Sequence, residues 1–350
     1  YETFRIRSGS GSVRFNSDST YYPKGGSDGV LDDGYDAKIN ELNTKVAEIC
    51  EFYNQPGVGS EDDDGNTESD HVFVDTAMWP QSAIYDSGFS VDTKNKIFQV
   101  LRHRKDIAVL ISTQDVSQEQ NDSETESSLA IALNTAAEAF PESEVYGTPV
   151  ARAAIVGHSG WLVNSPYRYL LPLTVDLATK CAQYMGRSNG VWREGRGFDQ
   201  APYNQVGMFK DVNLSWKPAN VYENDWDNGM IFVQNFDRRS LFYPGLQTVH
   251  PNHTSVLNSI MNMFICIETQ KVAERTWRRL TGNAKLTRDQ FVDRSDTFIS
   301  DNLEGRFDNR VIVVPRTYFT DVDEELGYSW STDITLYMNN MRTVGTYTII

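Results

Sequence analysis

Residues able to do chemistry occur at several places along the chain. The run Ala154-Ile155-Val156 leads into Gly157-His158-Ser159-Gly160-Trp161. A strand followed by G-x-S-x-G is how an α/β hydrolase exposes its nucleophile, and a triad would add a later acid and His250 or His253. Trp161 stands where the last glycine belongs, and Leu162 to Pro166 do not open a helix. His250 and His253 have the i, i+3 spacing of metal ligands, but no cysteine or further histidine lies near them, so a solvated turn is expected. Lys24 to Gly29 is a glycine loop without the Gly-Lys-Ser/Thr that cradles phosphate. Glu61 to Asp70 carries six acids and no base, without the spacing of an EF-hand, and is expected to be a solvated loop. Glu223, Asp225 and Asp227 have no base or nucleophile beside them, and Asn213-Leu214-Ser215 and Asn252-His253-Thr254 fit the glycosylation pattern. No catalytic, cofactor-binding or metal residue is therefore expected.

A different chemistry, that of contact, is written between Gly229 and Arg306, the stretch around which the chain is organised. The spacing predicts a helix over Ser255–Leu280. Its first half is apolar nearly all round and should be deeply buried. Its second half places Lys271, Arg275, Arg278 and Arg279 at i, i+4, i+7 and i+8, a basic face able to meet acidic groups on a partner. A second helix is predicted over Leu286–Leu303, opened by the capping pair Thr287 and Gln290 and stopped by Gly305. Strands are predicted over Arg310–Pro315, Ser329–Met338 and Arg342–Ile350, and the run Met230–Phe236 is strand-like.

Upstream, strands and helices alternate. Residues 1–22 suggest short strands or an arm. The helical pattern Ile39, Leu42, Val46, Ile49, Tyr53 is followed by a strand over His71–Asp75 and a helix over Val91–Arg102. Ile107–Thr113 is the next strand. A helix capped by Ser123 and Glu126 follows, then a strand over Ala153–Gly157 and a helix over Pro172–Met185 with proline in its first turn. Short apolar strands separated by helices predict an α/β fold: a mostly parallel central sheet flanked by helices, with a C-terminal α+β subdomain. A chain of 350 residues exceeds the ~250–300 at which one core stops growing. The expected division is an arm at 1–22, a core at 23–228 with a loop-rich part at 187–228, and a C-terminal subdomain at 229–350.

Composition excludes some classes. With 48 acids, 32 bases and a net charge of −16, the chain is not expected to bind nucleic acid, which needs clustered Lys and Arg. No run reaches the ~18 apolar residues of a membrane span. Cys50, Cys181 and Cys266 sit inside helical patterns and are expected to be buried thiols in a reducing compartment. The chain begins at Tyr1 without methionine and stops at Ile350 within a β-type run, which leads to the expectation of a piece of a longer protein.

Several segments, in order, resemble contractile tail sheath proteins of bacteriophages. Gly25-Gly26-Ser27-Asp28-Gly29 before an acidic helix is similar to the opening of the sheath core. Asp106 to Ile111 resembles a core strand. Tyr167 to Cys181, with Pro172, Asp176, Leu177 and Ala178, resembles the P-x-x-x-D-x-A helix. Glu268–Leu280 with Leu286–Phe291 resembles the C-terminal helices, and Tyr328–Ile350 the terminal strands. The set spans about Gly25 to Ile350; the family's N-terminal arm and outer domains are absent or reduced, and 187–228 matches poorly.

The resemblance implies a structural subunit that stacks as sixfold rings around a tail tube, in a virion assembled in the host cytoplasm. It implies contraction from a metastable extended lattice to a lower-energy one, driving the tube through the host envelope without nucleotide or cofactor. Its implied partners are other copies of itself through exchanged terminal strands, the tail tube protein, the baseplate and the tail terminator. On this reading residues 229–350 face the tube, Lys271, Arg275, Arg278 and Arg279 touch tube or neighbour, and the chain alone, lacking swapped arms, is a monomer. Two other readings stay open: an α/β serine hydrolase using Ser159, and a carbohydrate-binding module built on exposed tryptophans.

Overall fold

The computed structural model describes residues 5–8, 11–14, 40–47, 80–115, 119–138, 149–163, 170–187, 206–213, 225–235, 241–243, 245–280, 286–304, 306–307, 311–321, 323, 330–340 and 343–349. The chain forms two compact units, Tyr1–Leu42 and Asn43–Ile350. In the first, β1 (Arg5–Ser8) and β2 (Gly11–Arg14) pair antiparallel, with Ile6 opposite Val13. Within 1–22, expected to form short strands or an arm, residues 5–8 and 11–14 are strands and the others lie outside the described residues. The strand expected over His71–Asp75 lies outside the described residues.

The second unit opens with β3 (Ala83–Tyr85), α1 (Val91–His103), β4 (Ala108–Ser112) and α2 (Ser123–Glu138). Then come β5 (Ala153–Val156), β6 (Ser159–Leu162), β7 (Leu170–Pro172), α3 (Thr174–Arg187) and β8 (Phe209–Lys210). They are followed by β9 (Met230–Ile231), β10 (Gln234–Asn235), β11 (Leu241–Phe242) and α4 (Ile260–Leu280). The chain closes with α5 (Arg288–Glu304), β12 (Val311–Tyr318), β13 (Ser331–Asn340) and β14 (Thr343–Ile349).

The central sheet runs β3-β4-β5-β9, every neighbour parallel. Alternate residues of its strands enter two cores. Val109, Ile111, Ala153, Ile155 and Met230 pack with Ile97, Phe98 and Leu101 of α1 and Ala130 and Leu133 of α2. Ala108, Leu110, Ala154, Val156 and Ile231 pack with Leu177 of α3 and Ile260, Phe264 and Ile267 of α4. Two covered faces explain why these strands, Ser112 at the end of β4 aside, are apolar at successive positions, where a half-exposed strand would alternate. Each fully buried Leu or Ile contributes about 1.5–3 kcal/mol. The parallel sheet between helices, with an α+β part behind it, is the architecture the alternation predicts.

Local differences have local causes. The helix predicted from Ser255 begins at Ile260, because residues 251–259 are held as turns: Ser255 N–H donates to Asn252 O, Asn258 N–H to Ser255 O, and Thr248 Oγ1 to Leu257 O. Met230–Phe236 is not one strand. Residues 230–231 join the parallel sheet, and 234–235 pair with β11 in another. Pro172 ends β7 and does not open α3, which starts at Thr174. Asp122, not Ser123, caps α2: its Oδ1 accepts Thr125 N–H at 2.7 Å, and Glu126 turns inward. The Thr287–Gln290 box is present in both directions, at 3.3 Å each. Thr287→Ala should cost about 1 kcal/mol of stability, read as a lower urea midpoint with unchanged slope.

The last three strands form an antiparallel meander, β12-β13-β14. Its inner face, with Val311, Val313, Ile334 and Leu336, is part of the core that includes Ile299 and Leu303 of α5. β12 continues through Pro315 to Tyr318, three residues beyond the predicted end. As the outer strand of the sheet it needs no second ladder, so a missing N–H is tolerated there.

Candidate interaction surface

Open α/β sheets bind ligands outside the carboxyl ends of their strands, where strand order reverses. Among the described strands the order follows the chain without reversal. The carboxyl ends of β3 and β4 are filled by a buried ion pair between Asp86 and Lys94, both at 1% exposure or less. Asp86 also accepts Ser112 N–H at 2.9 Å, Ser112 Oγ at 2.7 Å, and the N–H groups of Gly88 and Phe89 at 2.8 Å. Lys94 Nζ donates to Ser112 Oγ at 3.0 Å and to Gln114 O at 2.7 Å. Burial pushes the Lys94 ammonium below the ordinary lysine range, against the pull of Asp86. This knot ties β3, α1 and β4 together where an enzyme would keep a crevice.

The carboxyl end of β5 is closed in a similar way. His158 takes a φ of 70°, and the chain then runs into β6, a strand, so Ser159 is not on a strand-to-helix elbow. Ser159 Oγ is fully buried and is bonded neither to His158 nor to another described side chain. Glu126 Oε1 accepts His158 N–H and Asn213 Nδ2, each at 3.0 Å, and Oε2 lies 3.3 Å from His158 Nδ1. Asn213 Oδ1 in turn accepts Ser159 N–H at 2.8 Å, so the Asn213 side chain is engaged inside the fold and not presented for modification. Glu126, taken from sequence as half of a capping box, is the hub that holds this turn. Among the described residues no nucleophile–base–acid line forms at Ser159.

The remaining chemical motifs that fall on described residues are held in local contacts. His250 Nδ1 accepts Asn252 N–H at 3.2 Å, and His253 Nδ1 is 3.4 Å from Asn258 Nδ2, both in the turns before α4. Asp225 is buried and accepts Ser127 Oγ at 2.5 Å. Among the described residues no group of three His, Cys, Asp or Glu is placed to hold a metal ion, and no helix is long and apolar enough to cross a membrane. Cys181 and Cys266 are buried free thiols; burial pushes the Cys181 thiol up to about 12. Glu61–Asp70, Lys24–Gly29 and Cys50 lie outside the described residues.

Asp176, of the P-x-x-x-D segment, is buried on α3, accepts Tyr243 O–H at 3.0 Å and has Lys180 Nζ 3.8 Å away. Desolvation by burial raises its carboxyl above the usual range, with Lys180 opposing. The folded state therefore holds this proton more tightly than the unfolded chain does. Stability falls as pH rises from the ordinary carboxylate range through the raised folded value, and the penalty is complete above it. Asp176→Asn should remove that slope. Urea midpoints of the two proteins converge as pH falls through this window; a gap constant with pH would contradict the assignment.

The four basic residues of α4 do not stay together. Lys271 is buried and donates to Pro80 O at 2.5 Å and Ser82 Oγ at 2.7 Å, fastening α4 to the chain entering β3. Arg275, Arg278 and Arg279 are exposed. Arg275 lies 3.8 Å from Glu268, Arg278 3.9 Å from Glu274, and Arg279 sits 4.6 Å over the Phe298 ring. Sequence reasoning missed their companion Trp277, 46% exposed, whose ring lies 6.3 Å from Trp330. Trp330 and Phe319 both pack on Phe291, and Arg288 lies over Phe319 at 4.4 Å. Arginine beside half-exposed tryptophan is the composition of contact surfaces.

No protein-family model matches the sequence, and no curated protein matches it. Among solved structures there are matches. A chain of the anti-feeding prophage baseplate, from a six-fold symmetrised cryo-EM structure, has a TM-score of 0.50 at 13% identity, over 81% of this chain and 71% of that one. The sheath tail protein of Listeria innocua has a TM-score of 0.43 at 8% identity, over 74% of this chain and 59% of that one. At such identity the likeness to the baseplate chain is one of fold.

Proposed function

We propose that the chain is a structural subunit of a contractile tail sheath. The observation that carries this reading is the fold likeness to a chain of a six-fold baseplate assembly over most of the length. The tied-up ends of β3, β4 and β5 are consistent with it. Copies stack as sixfold rings around a tail tube and pass from an extended lattice to a shorter one of lower free energy, driving the tube through a host envelope. The partners are further copies joined by terminal strands, the tube protein, the baseplate and the terminator, in a virion assembled in the host cytoplasm. Residues 229–350 face the tube, and Arg275, Arg278 and Arg279 meet acidic groups on the tube or the next copy. Lys271 keeps its internal role.

Electron microscopy of the intact protein, alone and with its tube partner, tests this. Rings or sleeves on tubes are expected. An intact protein that ignores tubes, or an ester hydrolysis abolished by Ser159→Ala, would overturn the reading.

A further inference from the structure

The meander β12-β13-β14 has one face too many. Its inner positions are buried in the core, while the outer positions of β12 are Ile312, Val314 and Arg316, of which Ile312 is 60% and Val314 48% exposed. Directly opposite Ile312 stands Tyr337, 41% exposed, and opposite Val314 stands Thr335. An antiparallel sheet with one solvated face alternates apolar and polar residues. Val311-Ile312-Val313-Val314 does not alternate; it has the composition of β4 and β5, whose two faces are both covered by helices. The strand is written for burial on two sides and has a cover on one.

A helix is the usual cover for a sheet face. The same unit exposes one with matching properties. α2 turns Glu124, Ser128, Ile131, Ala132 and Thr135 outward along one row, with Ile131 49% exposed. Ser128, Ala132 and Thr135 are small enough to let a helix lie close to a sheet. The charge on that row of α2 is Glu124, and α2 has no basic residue, whereas the exposed charge in line with Ile312 and Val314 is Arg316. Within one chain both surfaces face outward, so they meet only between copies. One surface pairing with a different one makes a head-to-tail contact, the kind that propagates through rings and helices.

We infer that the outer face of β12 and β13 is a docking surface for α2 of a neighbouring copy, with Ile131 set against Ile312, Val314 and Tyr337 and Glu124 toward Arg316. This rests on the assembly reading but names a contact that reading does not contain.

The test uses the whole chain in a Cys50→Ser background, since Cys181 and Cys266 are buried. Ile131→Cys and Ile312→Cys proteins are mixed at high concentration under mild oxidation, and disulfide-linked dimers are followed by mass spectrometry. The mixed pair should link several-fold faster than either variant alone and than Ile131→Cys mixed with Glu274→Cys. No excess over that control overturns the contact. So does faster self-linkage of Ile312→Cys, which would mean that two copies of the sheet face meet each other. Sleeves on tubes without the mixed linkage sink this contact and leave the sheath reading intact; the mixed linkage in a protein that never assembles on tubes does the reverse.

Discussion

Asp86→Ala should destabilise the protein by about 3–5 kcal/mol, a large share of the ~5–15 kcal/mol that holds an ordinary domain together. The cost comes from what is left behind. Lys94 Nζ would keep the hydrogen bonds to Ser112 Oγ and Gln114 O, at 1% exposure, with only the weaker pull of Asp115 as counter-charge. The N–H groups of Gly88, Phe89 and Ser112 would lose their acceptor as well. Lys94→Met should cost less, because Asp86 retains four hydrogen bonds from Gly88, Phe89 and Ser112. The double variant Asp86→Ala/Lys94→Met should then be more stable than Asp86→Ala alone, since it no longer buries an ammonium that has lost its ion-pair partner. The pH dependence has a definite sign. Removing Asp86 removes the charge that holds the Lys94 proton in place, so the folded lysine titrates further below the unfolded one. Between those two values stability rises with pH, and the deficit of Asp86→Ala should shrink as pH climbs toward the ordinary lysine range. Urea midpoints across neutral to alkaline pH measure this; a double variant no better than the single would refute the coupling.

What the sequence reveals and what it conceals divide along this same line. Runs such as Ala108-Val109-Leu110-Ile111 announce a doubly covered strand, because a strand with one solvated face ordinarily alternates apolar and polar residues. The apolar half of α4 announces its burial in the same way. Lys94 announces nothing. In Val91-Asp92-Thr93-Lys94-Asn95-Lys96 it looks like any solvated helix lysine, and only the arrival of β3 and β4 puts Asp86 and Ser112 beside it. Lys271 misleads for the same reason: it shares a helix row with three exposed arginines, but the chain entering β3 passes over that turn. Glu126 fits a capping pattern three residues after Ser123, yet a buried turn 32 residues later has the stronger need for its carboxylate. Helical spacing fixes which residues share a face. Which part of that face is covered depends on segments distant in sequence.

Charge reversal at Arg275 and Arg279 should separate folding from assembly. Both side chains are exposed, and their partners inside the chain are few. Arg275 lies 3.8 Å from a Glu268 that is closer to Arg306, and Arg279 rests on Phe298. Exposed pairs of this kind contribute about 0–1 kcal/mol and a surface cation–π contact about 0.5–1 kcal/mol, so Arg275→Glu/Arg279→Glu should unfold at nearly the wild-type urea concentration. Its effect should appear where copies and tube meet. There two reversed charges would face acidic groups once per subunit, and a sheath repeats that repulsion at every position of its lattice. Loss of sleeves on tubes in electron micrographs, with unfolding unchanged, is the expected result, and raised salt should relieve part of it by screening. Lys271→Glu should behave oppositely, because its ammonium is committed to Pro80 O and Ser82 Oγ: unfolding shifts, and assembly suffers only as far as the fold does. Sleeves as abundant in the doubly reversed variant as in the wild type would remove this helix face from the contact surface.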